Sequence, residues 1–101
     1  MSDFDDDEFD DEDEPDGNRV EGGRARAVLH YLATSIVDEP DAVHIEADER
    51  RRGGVDLRLH VAPGDMGRVI GRRGRVAQSI RQIVRAAAAS EGGDASVDIV
   101  D

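Results

Sequence analysis

Gly67-Arg68-Val69-Ile70-Gly71-Arg72-Arg73-Gly74-Arg75-Val76-Ala77-Gln78-Ser79-Ile80 is the stretch that fixes the fold class of this chain. Apolar residues at helical spacing stand on both sides of Gly71 to Gly74, so the pattern predicts two helices joined by four residues. Glycine at both ends of the joint leaves the backbone bare of side-chain bulk, and a sugar–phosphate chain can approach it closely. The helix opening at Arg75 offers unpaired N–H groups and the positive end of its dipole to such an anion. Arg72 and Arg73 flank that path as charge-assisted donors. Val69 and Ile70 before the joint, with Val76 and Ile80 after it, are expected to form an apolar floor for bases.

Outward from this stretch the charge is one-sided. Six Arg (68, 72, 73, 75, 81 and 85) and no acid lie between Met66 and Ser90. Solvated helix faces usually mix both signs, so a run of one sign is the footprint expected of a phosphate-binding surface. The net charge of −11 would by itself argue against a nucleic-acid partner. Its distribution reverses that reading. Residues 1–22 hold 12 acids and a single base, Arg19, whereas residues 23–101 hold 12 Arg against 12 acids. The first 22 residues show no period of 2 or 3.6, and Phe4 and Phe9 are their only large apolar side chains before Val20. They are expected to form a disordered acidic tail, because so little apolar surface cannot offset the entropy of ordering. Pro15-Asp16-Gly17-Asn18 reads as a turn-type linker. The tail has two candidate roles, solubility and mimicry of nucleic acid against the Arg face, of which solubility is the simpler.

Residues 23–101 read as one domain. Val28, Leu29, Leu32 and Ile36 recur at helical spacing from Arg24 to Val37, and Asp38-Glu39-Pro40 ends the run. Val43, Ile45 and Ala47 alternate with polar residues, as do Val55, Leu57, Leu59 and Val61, so two strands joined through Arg50 to Gly54 form an antiparallel hairpin. Pro63-Gly64-Asp65 opens a short helix to Ile70. A third helix runs from Arg75 to about Ala89 with Val76, Ile80, Ile83, Val84 and Ala87 expected inside, and Gly92-Gly93 stops it. Ala95, Val97 and Ile99 mark a closing strand. The order helix, strand, strand, helix, helix, strand predicts an α+β layer, a three-stranded sheet with helices on one face.

At the quoted stretch the sequence resembles a KH domain, whose Gly-x-x-Gly loop clamps single-stranded nucleic acid. The element order resembles the type II arrangement and covers about residues 24–101. Val37-Asp38-Glu39-Pro40-Asp41-Ala42-Val43, Asp65-Met66-Gly67-Arg68-Val69-Ile70-Gly71 and the ending Val97-Asp98-Ile99-Val100-Asp101 narrow the likeness to the KhpA family of stand-alone bacterial KH proteins. The resemblance implies a single-stranded RNA-binding protein, an RNA chaperone or post-transcriptional regulator. It also implies a homodimer or a complex with a second KH protein of the KhpB kind, and a link to cell length and the cell wall. The RNA-binding set it suggests is Arg68, Val69, Ile70, Gly71, Arg72, Arg73, Gly74, Arg75, Val76 and Arg81, with Arg85 extending the positive face. The long acidic tail departs from the family pattern. The rival from another class is a protein-interaction scaffold that uses the same fold for dimerisation.

Other chemistries fit poorly. Gly67, Gly71 and Gly74 are spaced G-x-x-x-G-x-x-G, not as a dinucleotide fingerprint, and a nucleotide P-loop needs a Lys that the chain lacks. His30, His44 and His60 are dispersed in sequence, although His44 and His60 are expected to face each other outside the hairpin. No carboxylate dyad or nucleophile–base pair is evident, so neither catalysis, cofactor nor metal is expected. Cys is absent. No apolar run is long enough to span a membrane and no signal-peptide pattern is present, so the expected location is the cytoplasm. Tyr31, the one aromatic residue after the tail, is expected in packing or an interface. With so little aromatic surface, RNA binding rests on phosphate contacts and should be salt-sensitive.

Overall fold

A computed structural model describes residues 23–51 and 53–100, and the acidic tail with its expected disorder lies outside them. Helix α1 spans Gly23–Ile36. Strands β1 (His44–Glu49) and β2 (Gly54–His60) pair antiparallel, with Ile45 opposite Leu59 and Ala47 opposite Leu57. A 3-10 turn at Pro63–Asp65 leads into α2 (Met66–Ile70), and a second at Arg72–Gly74 leads into α3 (Arg75–Ala89). Strand β3 (Asp94–Val100) returns parallel to β2, which places β2 in the centre of the sheet. The sequence pattern marked these elements but not the parallel pairing, which follows from the α2–α3 crossover carrying the chain back over one face.

Alternation decides which side of the sheet is covered. Ile45, Val55, Leu57, Leu59, Ala95 and Val97 point toward the helices and form the core with Leu29, Ile80 and Val84. Burying a Leu or Val side chain contributes about 1.5–3 kcal/mol, so this layer supplies the main driving force. Helical alanines share that core, Ala25 and Ala33 from α1 with Ala88 from α3, and Ala77 of α3 is buried as well. Small side chains let the two helices approach each other closely. They also turn α3 from its expected orientation: Ala77, Ile80, Val84 and Ala88 are buried, while Ile83 is 47% exposed and Val76 and Ala87 are only half-buried. The i, i+3, i+4 stripe of α3 thus runs through two alanines that side-chain size alone would not select. At the helix ends, the Arg24 N–H donates to Glu91 Oε1 at 3.1 Å, and Gly92 and Gly93 close the last turn of α3 by donating to Ala89 and Ala88 carbonyls.

The other face of the sheet is polar and holds the acids. Arg58 pairs with Glu46 at 3.1 Å and Asp48 at 2.8 Å, and Arg50 pairs with Asp56 at 2.7 Å and Asp94 at 3.3 Å. His44 and His60 do face each other there, with ring centroids 5.7 Å apart. Among the described residues no group of three or more potential metal ligands forms.

Candidate nucleic-acid interface

The joint between α2 and α3 is built on two glycines with different tasks. Gly71 adopts φ 77°, ψ 173°, a region open essentially to glycine alone. A Cβ there would lie 2.4 Å from Val76 Cγ2 and 2.9 Å from the Val76 nitrogen, so Gly71 also permits the close packing of α3 against the turn. Gly74 is left-handed at φ 74°, ψ 13°, and a Cβ there would meet nothing within 4 Å. It faces open space, the feature that an approaching backbone needs. Between them Arg73 is also left-handed, at φ 58°, which holds its side chain outward at a cost of about 1–2 kcal/mol. The Gly74 N–H donates to the Gly71 carbonyl at 3.1 Å, and no side chain of the described residues caps α3. The Arg75 N–H donates in turn to the Arg72 carbonyl, and Arg72 and Arg73, both exposed, stand at the start of α3.

The ten residues expected to bind RNA are not equivalent. Gly71, Arg72, Arg73, Gly74 and Arg75 lie together in the joint, with Ile70 38% exposed and Val76 half-buried beside them. Val69 is fully buried, as is Ile80, because the inner stripe of each helix points these side chains into the core. The apolar floor is therefore reduced to Ile70 and Val76. Arg68 is already partnered: its Nη2 lies 2.9 Å from Asp38 Oδ2 and its Nε 3.3 Å from Asp65 Oδ1. Arg81 donates from Nε to the Val97 carbonyl at 3.1 Å, which ties α3 to the outer edge of β3. Among the described residues, Arg72, Arg73, Arg75 and Arg85 form no ion pair, and these carry the available positive charge.

Asp65 escaped the sequence reading except as a turn residue. Its carboxylate is 2% exposed and accepts from the Asp38 N–H at 3.0 Å and the Glu39 N–H at 3.1 Å. Together with the Arg68 contact, this fixes the segment after α1 to the start of α2 and so positions the joint. The local signal was Pro63-Gly64-Asp65, but the two backbone donors it holds lie more than 25 residues away in sequence. Tyr31 is 70% exposed on α1 and so is not a packing residue. Two clefts among the described residues lie elsewhere. One of about 370 Å³ sits among Gly23, Arg50, Gly54 and Glu91, and one of about 500 Å³ lies between α1 and β1 at Arg26, His30, Val43 and Ile45. The joint is an open surface, suited to a chain laid across it and not to an enclosed small molecule. No helix among the described residues is long and apolar enough to cross a membrane.

Comparison with known proteins agrees with this architecture. The chain is 45% identical over 73 residues to the RNA-binding protein KhpA of Leifsonia xyli, covering 72% of this chain and 92% of that one. It is 39% identical over 75 residues to the RNA-binding protein KhpA of Clostridium perfringens, covering 74% and 99% respectively. Among solved structures, Era in complex with MgGDPNP and nucleotides 1506–1542 of 16S ribosomal RNA shares the fold with a TM-score of 0.59 at 15% identity. That match covers 74% of this chain and 28% of Era. The family model described as KhpA/KhpB, KH domain, matches residues 26–99, from the first turn of α1 to the end of β3, and the chain belongs to that family.

Proposed function

We propose that this protein binds single-stranded RNA across the Gly71–Gly74 joint and acts in the cytoplasm as a non-catalytic RNA chaperone or post-transcriptional regulator. The observation that carries this reading is the open space at Gly74 beside two exposed arginines that form no ion pair among the described residues. The sugar–phosphate chain passes over Gly74 and the first amides of α3. Arg72, Arg73 and Arg75 neutralise phosphates, and Ile70 and Val76 supply the apolar contact for a base. The relatives similar in sequence are named for RNA binding, which supports the same reading.

The double substitution Arg72→Asp with Arg73→Asp tests it. Both side chains are exposed, so the fold should survive with a melting temperature near wild type. The charge of the joint moves from +2 to −2, and each lost charge-assisted contact costs about 1.5–3 kcal/mol. Affinity for a single-stranded RNA should fall well over tenfold. A folded double mutant that keeps its affinity excludes the joint as the binding site. A second reading, a scaffold that pairs with its own copy or with a KhpB-like protein, draws support from Tyr31 and Ile83, exposed on α1 and α3. Sedimentation at micromolar concentration should then show association that Tyr31→Ser abolishes, with RNA affinity unchanged in the Arg72/Arg73 variant.

A further inference from the structure

The chain enters the described fold at the end of α3 remote from the joint. Arg24 marks the place, its N–H on Glu91 Oε1 at 3.1 Å and its Nη1 on Ser90 Oγ at 3.3 Å. The 15 residues of α3 separate this point from the joint by about 22 Å. Residues 15–22 extend to at most about 26–29 Å, and residues 3–14 before them carry ten of the 12 acids in residues 1–22. The eight-residue connection is therefore long enough to lay the acidic block on Gly71 to Gly74.

Charge selects the side on which it lies. The outer sheet face presents Glu46, Asp48, Asp56, Asp94 and Asp98 and repels the block. The helical side presents Arg85 and Arg81 one turn apart on α3, then Arg75, Arg73 and Arg72 at the joint, without an acid between Met66 and Ser90. We propose that residues 3–14 occupy the arginine surface of the joint in the RNA-free protein, as a tethered competitor that an incoming RNA must displace. The regulatory consequence rests on the RNA-binding reading above, whereas the contact itself does not. Held at an effective concentration of about 1 mM, even a weak acidic ligand competes continuously. Short or poorly matched RNAs lose to it first, so the segment raises the threshold for productive binding.

The test uses the full-length chain with Asp→Asn and Glu→Gln at positions 3, 5–8 and 10–14. Among the described residues the core runs from Ala25 to Val97. In RNA-free protein at low salt, the backbone amide resonances of Arg72 to Val76 should differ between the native and neutralised chains. The neutralised chain should bind a 12-nucleotide oligouridylate about tenfold more tightly at about 50 mM salt, the ratio approaching one at about 500 mM as screening removes the competition. Unchanged amide resonances overturn the proposal, including the case where affinity rises, since that identifies long-range repulsion without contact. Equal affinities at low salt overturn it as well. If neither chain binds RNA, the regulatory role falls with the RNA-binding reading, and the amide shifts still show whether the acidic segment reaches the joint.

Discussion

Gly71 and Gly74 look alike in sequence and differ in what their backbone requires. Gly71→Ala combines a conformation reserved for glycine with a collision against Val76, and should destabilise the protein by about 3 kcal/mol. Gly74→Ala meets no neighbour and carries only left-handed strain, about 1 kcal/mol. It should fold, yet on the proposed function bind RNA less well, because the new methyl would stand in the proposed path of the phosphate chain. Urea denaturation of the two variants checks the order, and equal losses would contradict the geometry. Arg73 provides a complementary case. Because its φ is 58°, Arg73→Gly relieves strain and should leave stability unchanged or raise it by up to about 1 kcal/mol. RNA affinity should still fall, since a phosphate contact is removed. Stability and binding then move apart at a single residue, as a side chain held in a strained conformation for binding requires.

At the level of elements, the joint depends on the loop that follows α1. Asp65→Ala would strip two backbone N–H groups of their acceptor in a partly buried position, and should cost about 2–3 kcal/mol. It should also weaken RNA binding indirectly by loosening the start of α2, while Asp65→Asn, which keeps an acceptor oxygen, retains part of both. Thermal melts paired with RNA titrations distinguish these outcomes. The order of elements was legible in the sequence because the period changes from 3.6 to 2 and back at clear turn signals such as Asp38-Glu39-Pro40 and Gly92-Gly93. The joint was legible because two glycines interrupt an apolar helical pattern. The facing of α3 was not, since close packing between α1 and α3 selects Ala77 and Ala88 for the interior and leaves the larger Ile83 outside. Nor were the contacts of Arg68 with Asp38, of Arg81 with the Val97 carbonyl and of Asp65 with the Asp38 N–H, which join residues 16 to 30 positions apart. Periodicity reports which way a residue faces, but only tertiary structure reports whether its charge is already spent.

Across the whole molecule, the fold separates charges that the sequence of residues 23–101 balances. Acids and their partners line the outer sheet face, and arginines with no ion partner among the described residues line the joint. On the sheet, hydrogen bonds from Arg58 and then His60 hold Glu46 below the usual carboxylate range, and those from Ser96 and then Arg50 do the same for Asp56. A lowered pKa in the folded state means stability that is present above the unfolded value, about pH 4, and is lost as pH falls through the folded one. The urea midpoint should therefore decline below about pH 4, and Ser96→Ala should make that decline shallower. At the joint the same separation sets the ionic response of RNA binding. Each phosphate neutralised on a single strand contributes about −0.7 to the slope of log affinity against log salt. Arg72, Arg73 and Arg75 are free to act, whereas Arg68 is held by Asp38 and Asp65 and Arg81 by the Val97 carbonyl. A short RNA confined to the joint should therefore give a slope of about −2, and Gln at position 72, 73 or 75 should each reduce its magnitude by about 0.7. Arg68→Gln should leave the slope unchanged while lowering stability. A slope near −3 that Arg68→Gln diminishes would mean that RNA opens the Asp38–Arg68 pair, and that the bound surface extends along α2 as well as across the joint.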